Sequence, residues 1–346
     1  MSNGKGGYDP RKRRQAMREK AATRAAAALS NPPEEEEAPK TRARGQGISV
    51  QTPTGSILPP IDREVSGDFT GFDELPHMPA VLNELQSALA KGRADAKVIA
   101  TMVGSDAAMT AKILRVVNSA YYGLSRPILD LKYAVAYLGF NEVYRIVLSV
   151  SVVDGLKIKD PKAIKDYWHH SYFTALVAKY LASLYDKHID PAELWPAALL
   201  HDVGRLVYMK IYPRYHATLL DYCESHKCAL VHAEQELGLP SHSAMGSLLA
   251  LRWKLPDLIQ DTCMHYALDD PASAGGTDLQ VSFRRIVGCA SRLIDLEGAD
   301  LAEEHRDQIR RAVRKTLKIT QSEFMSLLAQ VRELREEADV FVAELN

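Results

Sequence analysis

The sequence predicts an all-α fold. From about residue 73 onward, apolar side chains recur at the three- and four-residue spacing of one helix face. No stretch alternates at period two for long enough to indicate a strand. Capping residues and first-turn prolines precede these periodic segments, and glycines follow several of them. These three observations predict about five helices, followed by a second helical unit.

The N-terminal helices are delimited by local signals. Pro79 stands in the first turn of the first helix, Ser105 and Asp106 can cap the third, and Gly139 ends the fourth. We expect helices over about residues 79–89, 95–103, 107–118, 129–138 and 141–153. The passage from Tyr121 to Pro127 reads as a loop.

The second helical unit shows the same signals. Pro161 and Pro191 each open a helix, Gly238 ends one, and Ser241 caps the next. We expect helices over about residues 161–185, from 191 through His201 and Asp202, and over 213–223, 230–237, 242–253, 256–265, 279–296, 302–317 and 322–345. Glycine destabilises a helix interior, so Gly204 predicts the close approach of a backbone or ligand.

Residues 1–66 differ in composition from the rest. Arg11–Arg14 and Glu34–Glu37 are charge runs, and large aliphatic residues are nearly absent. Such a segment buries too little apolar surface to offset the entropy of ordering. We therefore expect a disordered tail. Its first 30 residues hold eight basic and two acidic side chains, which could contact RNA, acidic lipid or an acidic partner.

The bulk composition excludes several classes of protein. The net charge of −1 gives the whole chain no field that would select nucleic acid, which leaves the basic tail as its only candidate contact. No apolar run approaches the length of a membrane span, and no signal-peptide core is present. We expect a cytoplasmic protein.

The candidate chemistry centres on His201 and Asp202, which lie in the apolar run Leu199–Val207. Burying unpaired ionisable groups is costly. His170, His242 and His265 come from other predicted helices. Imidazole suits zinc or iron, and a carboxylate lets manganese and magnesium compete. The alternative is a polar network without metal, or histidines that merely cap or fill the core.

An ordered set of motifs over about residues 75–294 resembles the HDOD domain, the HD-related output domain of bacterial signalling proteins. It comprises Leu75-Pro-His-Met-Pro79, Val116-Val-Asn-Ser-Ala-Tyr-Tyr-Gly123, Ser125-Arg-Pro127, Ala134-Val-Ala-Tyr-Leu-Gly139, Trp168-His-His-Ser171, Leu199-Leu-His-Asp-Val-Gly204, Glu236-Leu-Gly238, His242-Ser-Ala-Met-Gly246, Arg252-Trp-Lys-Leu-Pro256 and His265. The resemblance implies an HDOD domain over residues 67–294, divided into subdomains 67–155 and 156–294, and leaves 295–346 as a C-terminal helical extension.

The resemblance also implies roles for individual residues, because the related HD phosphohydrolases bind metal through His, His-Asp and Asp. Here the first three positions are His170, His201 and Asp202. Ser291 stands where the last carboxylate would be. Arg205 replaces a lysine that often follows the doublet, and arginine holds phosphate well but is a poor acid or base.

These departures favour a non-catalytic regulatory module without a cofactor. It would bind a signalling protein or a small phosphorylated ligand through a pocket of His170, His201, Asp202, Arg205, His242, His265 and Ser291. The alternative is a phosphohydrolase acting on a nucleotide or cyclic dinucleotide. That enzyme would hold Mn, Fe, Zn or Mg on His170, His201 and Asp202, with His242 or His265 completing the shell.

Overall fold

Helices account for the regular structure of the described residues. The computed structural model describes residues 75–90, 101–104 and 106–344, and within these it contains fourteen helices and no strand. The prediction of an all-α fold is confirmed. The predicted tail of residues 1–66 lies outside the described residues. The predicted helix over residues 95–103 lies outside them too, except that residues 101–104 are helical.

Four of the helices that the structure describes in full form the N-terminal part: α1 (Ala80–Ala90), α2 (Ala107–Val117), α3 (Leu131–Leu138) and α4 (Phe140–Gly155). Asp106 caps α2 by accepting a hydrogen bond from the Met109 amide, and Asp130 caps α3 in the same way. Gly139 separates α3 from α4 at a φ of 89°, where a side chain would be strained.

The other ten helices are α5 (Pro161–Tyr185), α6 (Pro191–Leu200), α7 (Val203–Ile211), α8 (Pro213–His226), α9 (Leu230–Leu237), α10 (His242–Arg252), α11 (Asp257–His265), α12 (Asp278–Gly298), α13 (Glu303–Leu317) and α14 (Gln321–Ala343). Apart from the break between α6 and α7, their ends lie within about three residues of the predicted ends. As predicted, Ser241 accepts a hydrogen bond from the Ala244 amide at the start of α10.

The long helix α5 is the centre of the packing, with α6, α12 and α14 laid against it. The ring of Phe341 in α14 stacks on Tyr172 of α5 at 3.9 Å between centroids. Phe324 and Val331 of α14 are fully buried. The C-terminal helix therefore contributes to the main core. The predicted domain limits stay predictions, but α12 runs unbroken across the proposed boundary at residues 294 and 295.

One prediction about local structure is wrong. His201 and Asp202 do not continue the helix that begins at Pro191, because α6 ends at Leu200 and α7 begins at Val203. Asp202 has φ −106° and ψ 15°, which interrupts the helical path. The apolar pattern runs evenly through the break, so periodicity did not reveal it.

Gly204 lies in the first turn of α7, directly against α10. A Cβ at this position would lie 1.7 Å from the carbonyl oxygen of His242 and 2.7 Å from the amide of Gly246. The expected close backbone approach is confirmed. It presses the start of α7 onto the start of α10 and brings Asp202 beside His242. None of the described helices is long and apolar enough to cross a membrane.

Candidate functional site

The break between α6 and α7 places His201 and Asp202 in the interior of the molecule. Both side chains are buried, with 0% exposure for His201 and 2% for Asp202. Helix α5 brings His170 against them, and the His170 and His201 rings stack with centroids 5.4 Å apart. Helix α10 brings His242 from the opposite side.

The two oxygens of Asp202 have different partners. Oδ2 accepts a hydrogen bond from Nη1 of Arg205 at 3.0 Å. Oδ1 lies 2.9 Å from Nε2 of His242 and accepts a hydrogen bond from the Tyr266 hydroxyl at 3.2 Å. Each oxygen thus has a cationic or donor group within hydrogen-bond distance, which offsets the cost of burying the carboxylate.

His242 links Asp202 to a second buried carboxylate. Its Nδ1 and its backbone amide lie 2.7 and 2.8 Å from the same oxygen of Glu234. Its Nε2 also lies 2.6 Å from the Tyr266 hydroxyl. Glu234 is 2% exposed, so this chain of contacts is shielded from solvent. The other oxygen of Glu234, Oε2, is buried and has no hydrogen-bond partner among the described residues.

The surroundings shift the pKa values of His242, His170 and His201 in different directions. Burial alone would lower the pKa of His242, but Glu234 and Asp202 outweigh it and raise that pKa to about 10. For His170 burial dominates and lowers the pKa to about 3, and burial also lowers the pKa of His201. At neutral pH, His242 is therefore a cation, and the other two rings are neutral.

Asp202 remains ionised within this cluster. Burial alone would raise the pKa of its carboxyl, but Arg205 and His242 outweigh burial and hold the pKa well below its usual range. Two cations thus flank one carboxylate. Glu234 balances the second cation through its contact with His242.

Two buried nitrogen atoms of the cluster have no hydrogen-bond partner among the described residues. They are Nε2 of His170 and Nε2 of His201. Nδ1 of His201 donates its proton to the carbonyl of Ala198 at 2.7 Å, so in the neutral ring Nε2 carries a lone pair. Such a lone pair is what a metal ion or a donor group of a ligand requires.

The residues fit a divalent metal only in part. Donor atoms of His170, His201 and Asp202 lie within 4.8 Å of one another, and the His170 Nε2 to Asp202 Oδ2 distance is 3.6 Å. Bonds of about 2.1 Å allow at most about 4.2 Å between two ligands of one ion. A small contraction would satisfy this limit. However, Oδ2 already binds Arg205, whose positive charge would repel an ion by a few kcal/mol.

The other predicted pocket residues lie apart from this cluster. The Nδ1 of His265 lies 3.3 Å from Asp261, which Arg284 holds through two nitrogen atoms. His265 is therefore paired away from Asp202, although the next residue, Tyr266, joins the cluster. Ser291 is buried on α12 and lines a cavity with Tyr266.

Three residues of the site were not found by sequence reasoning. Tyr266 contacts the rings of His201 and His242, and Glu234 holds His242. Asp295 lies one helical turn after Ser291, and burial raises its pKa to about 6, with Arg205 and Asp202 near enough to influence it. A glutamate eight residues before His242 was the one available signal, and such spacing is common by chance.

Comparison with known proteins identifies the class. The sequence profile of the HDOD domain matches residues 75–267, and the chain therefore belongs to the HDOD family. The expected resemblance is confirmed. An uncharacterised protein of Treponema pallidum (strain Nichols) is 25% identical over 217 residues, which are 63% of this chain and 41% of that protein. The match thus spans less than half of that relative.

Solved structures share the fold. An HDOD domain protein of unknown function from Geobacter sulfurreducens has a TM-score of 0.61 and 24% identity, covering 80% of this chain and 96% of that one. A Shewanella amazonensis protein provisionally named a phosphohydrolase has a TM-score of 0.62 and 18% identity, covering 82% and 100%. A Marinobacter aquaeolei VT8 protein, provisionally named for signal transduction, has a TM-score of 0.59 and 20% identity, covering 79% and 60%. Structural relatives therefore carry names from both signalling and phosphohydrolysis.

Proposed function

We propose that this chain is a non-catalytic regulatory module of bacterial signalling, in which the former hydrolase pocket serves as a polar binding and switching site. The observation that carries this proposal is the engagement of Asp202. One oxygen faces Arg205 and the other faces His242, and both partners are positively charged.

This arrangement removes what a hydrolytic metal centre needs. Such a centre holds an ion with several anionic or neutral ligands and keeps a position open for water. Here the one carboxylate of the donor set is neutralised by two cations. Ser291 occupies the position at which the resemblance expects a second carboxylate. A hydroxyl does not supply the missing negative charge.

The same cluster is suited to binding a partner or ligand. Arg205 is 32% exposed in its side chain and has donors beyond the one that reaches Asp202. Guanidinium groups bind phosphate through paired hydrogen bonds. A phosphorylated ligand or an acidic group of a protein partner that took Arg205 from Asp202 would change the whole buried network.

One observation supports a second candidate function, metal-dependent phosphohydrolysis. The Nε2 atoms of His170 and His201 have no hydrogen-bond partner among the described residues, and donor atoms of these two rings and of Asp202 lie within 4.8 Å of one another. If bound there, a divalent metal would polarise a phosphoryl oxygen and activate water. Arg205 would have to leave Oδ2 for that ion.

Manganese binding and turnover separate the two functions. The full chain is dialysed against Mn²⁺ at about 100 µM, well above the Kd of a resident catalytic metal site, and is assayed with bis(4-nitrophenyl) phosphate. We expect metal far below one ion per chain and no turnover. One bound ion per chain, with turnover lost on chelation, would contradict the proposal.

Two substitutions, combined in one double variant, test why the wild type is expected to bind little metal. Arg205→Ala removes the competing cation, and Ser291→Asp restores the carboxylate. We expect the double variant to bind more Mn²⁺ than the wild type. Arg126→Ala removes an exposed charge elsewhere and serves as the control. Equal metal binding in the double variant and the wild type would show that these two residues do not limit it.

A further inference from the structure

A second cavity lies beside the polar cluster. Its volume is about 620 Å³, within the usual range for small-molecule sites. Its walls are α9, α12, α13 and the segment 266–269. Arg292 holds that segment in place by donating hydrogen bonds to the carbonyls of Ala267 and Leu268. Tyr266 separates the cavity from Asp202.

One end of the cavity favours an anion. Arg311 and Lys315 lie one turn apart on α13 and line it with exposed side chains. Ala229 and Val231 bring the N-terminus of α9 to the same cavity, and no side chain caps that terminus. Arg311 and Lys315 favour the binding of a phosphate group.

Two imidazoles lie between the helices that carry these groups. His232 of α9 and His305 of α13 both line the cavity, and their rings meet edge to face at 4.6 Å between centroids. Nδ1 of His305 is buried and has no hydrogen-bond partner among the described residues.

Other lining groups accept hydrogen bonds. Asp295 and Ser291 line the cavity from α12, together with Tyr266. No residue in the described part of the chain makes a hydrogen bond to the Asp295 carboxyl. A half-buried carboxyl that lines the cavity can accept hydrogen bonds from N–H or O–H donors of a ligand. The cavity thus combines a cationic side with an acceptor side.

We infer that this cavity binds a nucleoside monophosphate or a phosphorylated molecule of the same chemistry. The phosphate would lie against Arg311 and Lys315, and the donor groups of the base or sugar would face Asp295. This inference adds a ligand class to the proposed regulatory function. It rests on that function only for the statement that the ligand acts as an effector. It does not depend on whether the HD cluster binds a metal.

Calorimetric titration of the full chain with each of the four ribonucleoside 5′-monophosphates tests this inference. We expect at least one to bind with a Kd below about 1 mM, and inorganic phosphate and the matching nucleoside to bind at least about tenfold more weakly. No binding by any nucleotide would overturn the inference. Equal binding of inorganic phosphate would reduce the site to an anion site and would also overturn it.

Variants locate the site. The double variant Arg311→Ala/Lys315→Ala should weaken nucleotide binding about tenfold or more. Asp295→Asn should remove most of the preference for nucleotide over phosphate. Arg126→Ala/Lys132→Ala removes two exposed positive charges outside the cavity and should leave affinity unchanged.

The same titrations separate this inference from the proposed function. Nucleotide binding that is lost in Arg205→Ala and kept in Arg311→Ala/Lys315→Ala would place the ligand at the HD cluster and refute the cavity site. Manganese-dependent turnover would refute the non-catalytic function, and it would leave the nucleotide affinity of the cavity as a separate result.

Discussion

Asp202 shows how much one buried carboxylate can organise. Its partners come from three separate segments, through Arg205, His242 and Tyr266. Removing one member of a buried charge group leaves the others uncompensated, and this costs more than the pair contributes. At the scale of single residues, Asp202 is therefore a structural centre as well as a candidate site.

Replacing this carboxylate should destabilise the fold. We expect Asp202→Ala to lower the free energy of unfolding by about 3–5 kcal/mol, because the buried His242 and the half-buried Arg205 would lose their anion. Urea denaturation followed by circular dichroism measures the change. The exposed Asp166→Ala serves as the control and should shift stability by less than about 0.5 kcal/mol. Similar shifts in both variants would contradict the buried network.

His242 predicts a dependence of stability on pH. Its pKa rises from an ordinary value of 6.5 to about 10 in the folded protein. The folded state therefore holds this proton more tightly than the unfolded state does. The stabilisation is complete below about pH 6.5 and is lost as the pH rises through about 10.

The difference between wild type and His242→Gln isolates this contribution. We expect the stability advantage of the wild type to shrink between about pH 7 and pH 10, as measured by urea unfolding at several pH values. Taking the difference removes the titrations common to both proteins. An advantage that is constant across this range would mean that the proton on His242 is not linked to folding.

At the scale of elements, the contact between α7 and α10 depends on glycine. Gly204→Ala would place a methyl group 1.7 Å from the His242 carbonyl oxygen, and that oxygen belongs to backbone that cannot step aside. We expect a loss of at least about 3 kcal/mol in unfolding free energy, or failure to fold. Gly298→Ala meets nothing within 4 Å and should be nearly neutral. Equal effects would refute the close approach.

The helix boundaries show which features could be predicted from the sequence and which could not. Caps and prolines predicted most helix ends within a few residues, because these signals are local. The break at His201 and Asp202 was missed, because the apolar run Leu199–Val207 is even on both sides of it. Its cause is tertiary. Asp202 contacts His242 and Tyr266, which lie 40 and 64 residues further along the chain.

At the scale of the whole molecule, the C-terminal helix belongs to the core. Phe341 stacks on Tyr172 and lies 6.2 Å from the ring of Trp168. We expect Phe341→Ala to lower the free energy of unfolding by about 3–4 kcal/mol in urea denaturation. The neighbouring Val340 is 59% exposed, so Val340→Ala should have little effect. A small effect of both would mean that α14 is a dispensable appendage.

The overall fold and part of the site could be predicted from the sequence. The ordered motifs indicated the family, and they brought His170, His201, Asp202 and His242 into one hypothesis. The sequence could not place His265, because its ring and that of Tyr266 diverge at the end of α11. It could not show Arg205 on Asp202 either, since an ion pair depends on rotamers and not on spacing.

Tyr266 is part of both the polar cluster around Asp202 and the neighbouring cavity. Its hydroxyl donates a hydrogen bond to Asp202, and the residue also lines the neighbouring cavity. Any ligand that displaces this ring changes the free energy of the charged cluster, and the coupling is reciprocal by thermodynamic linkage. A partner that rearranges the cluster would therefore change the affinity of the cavity for its ligand by the same factor. Through Tyr266, a partner at the charged cluster and a ligand in the cavity would therefore influence the same conformational equilibrium.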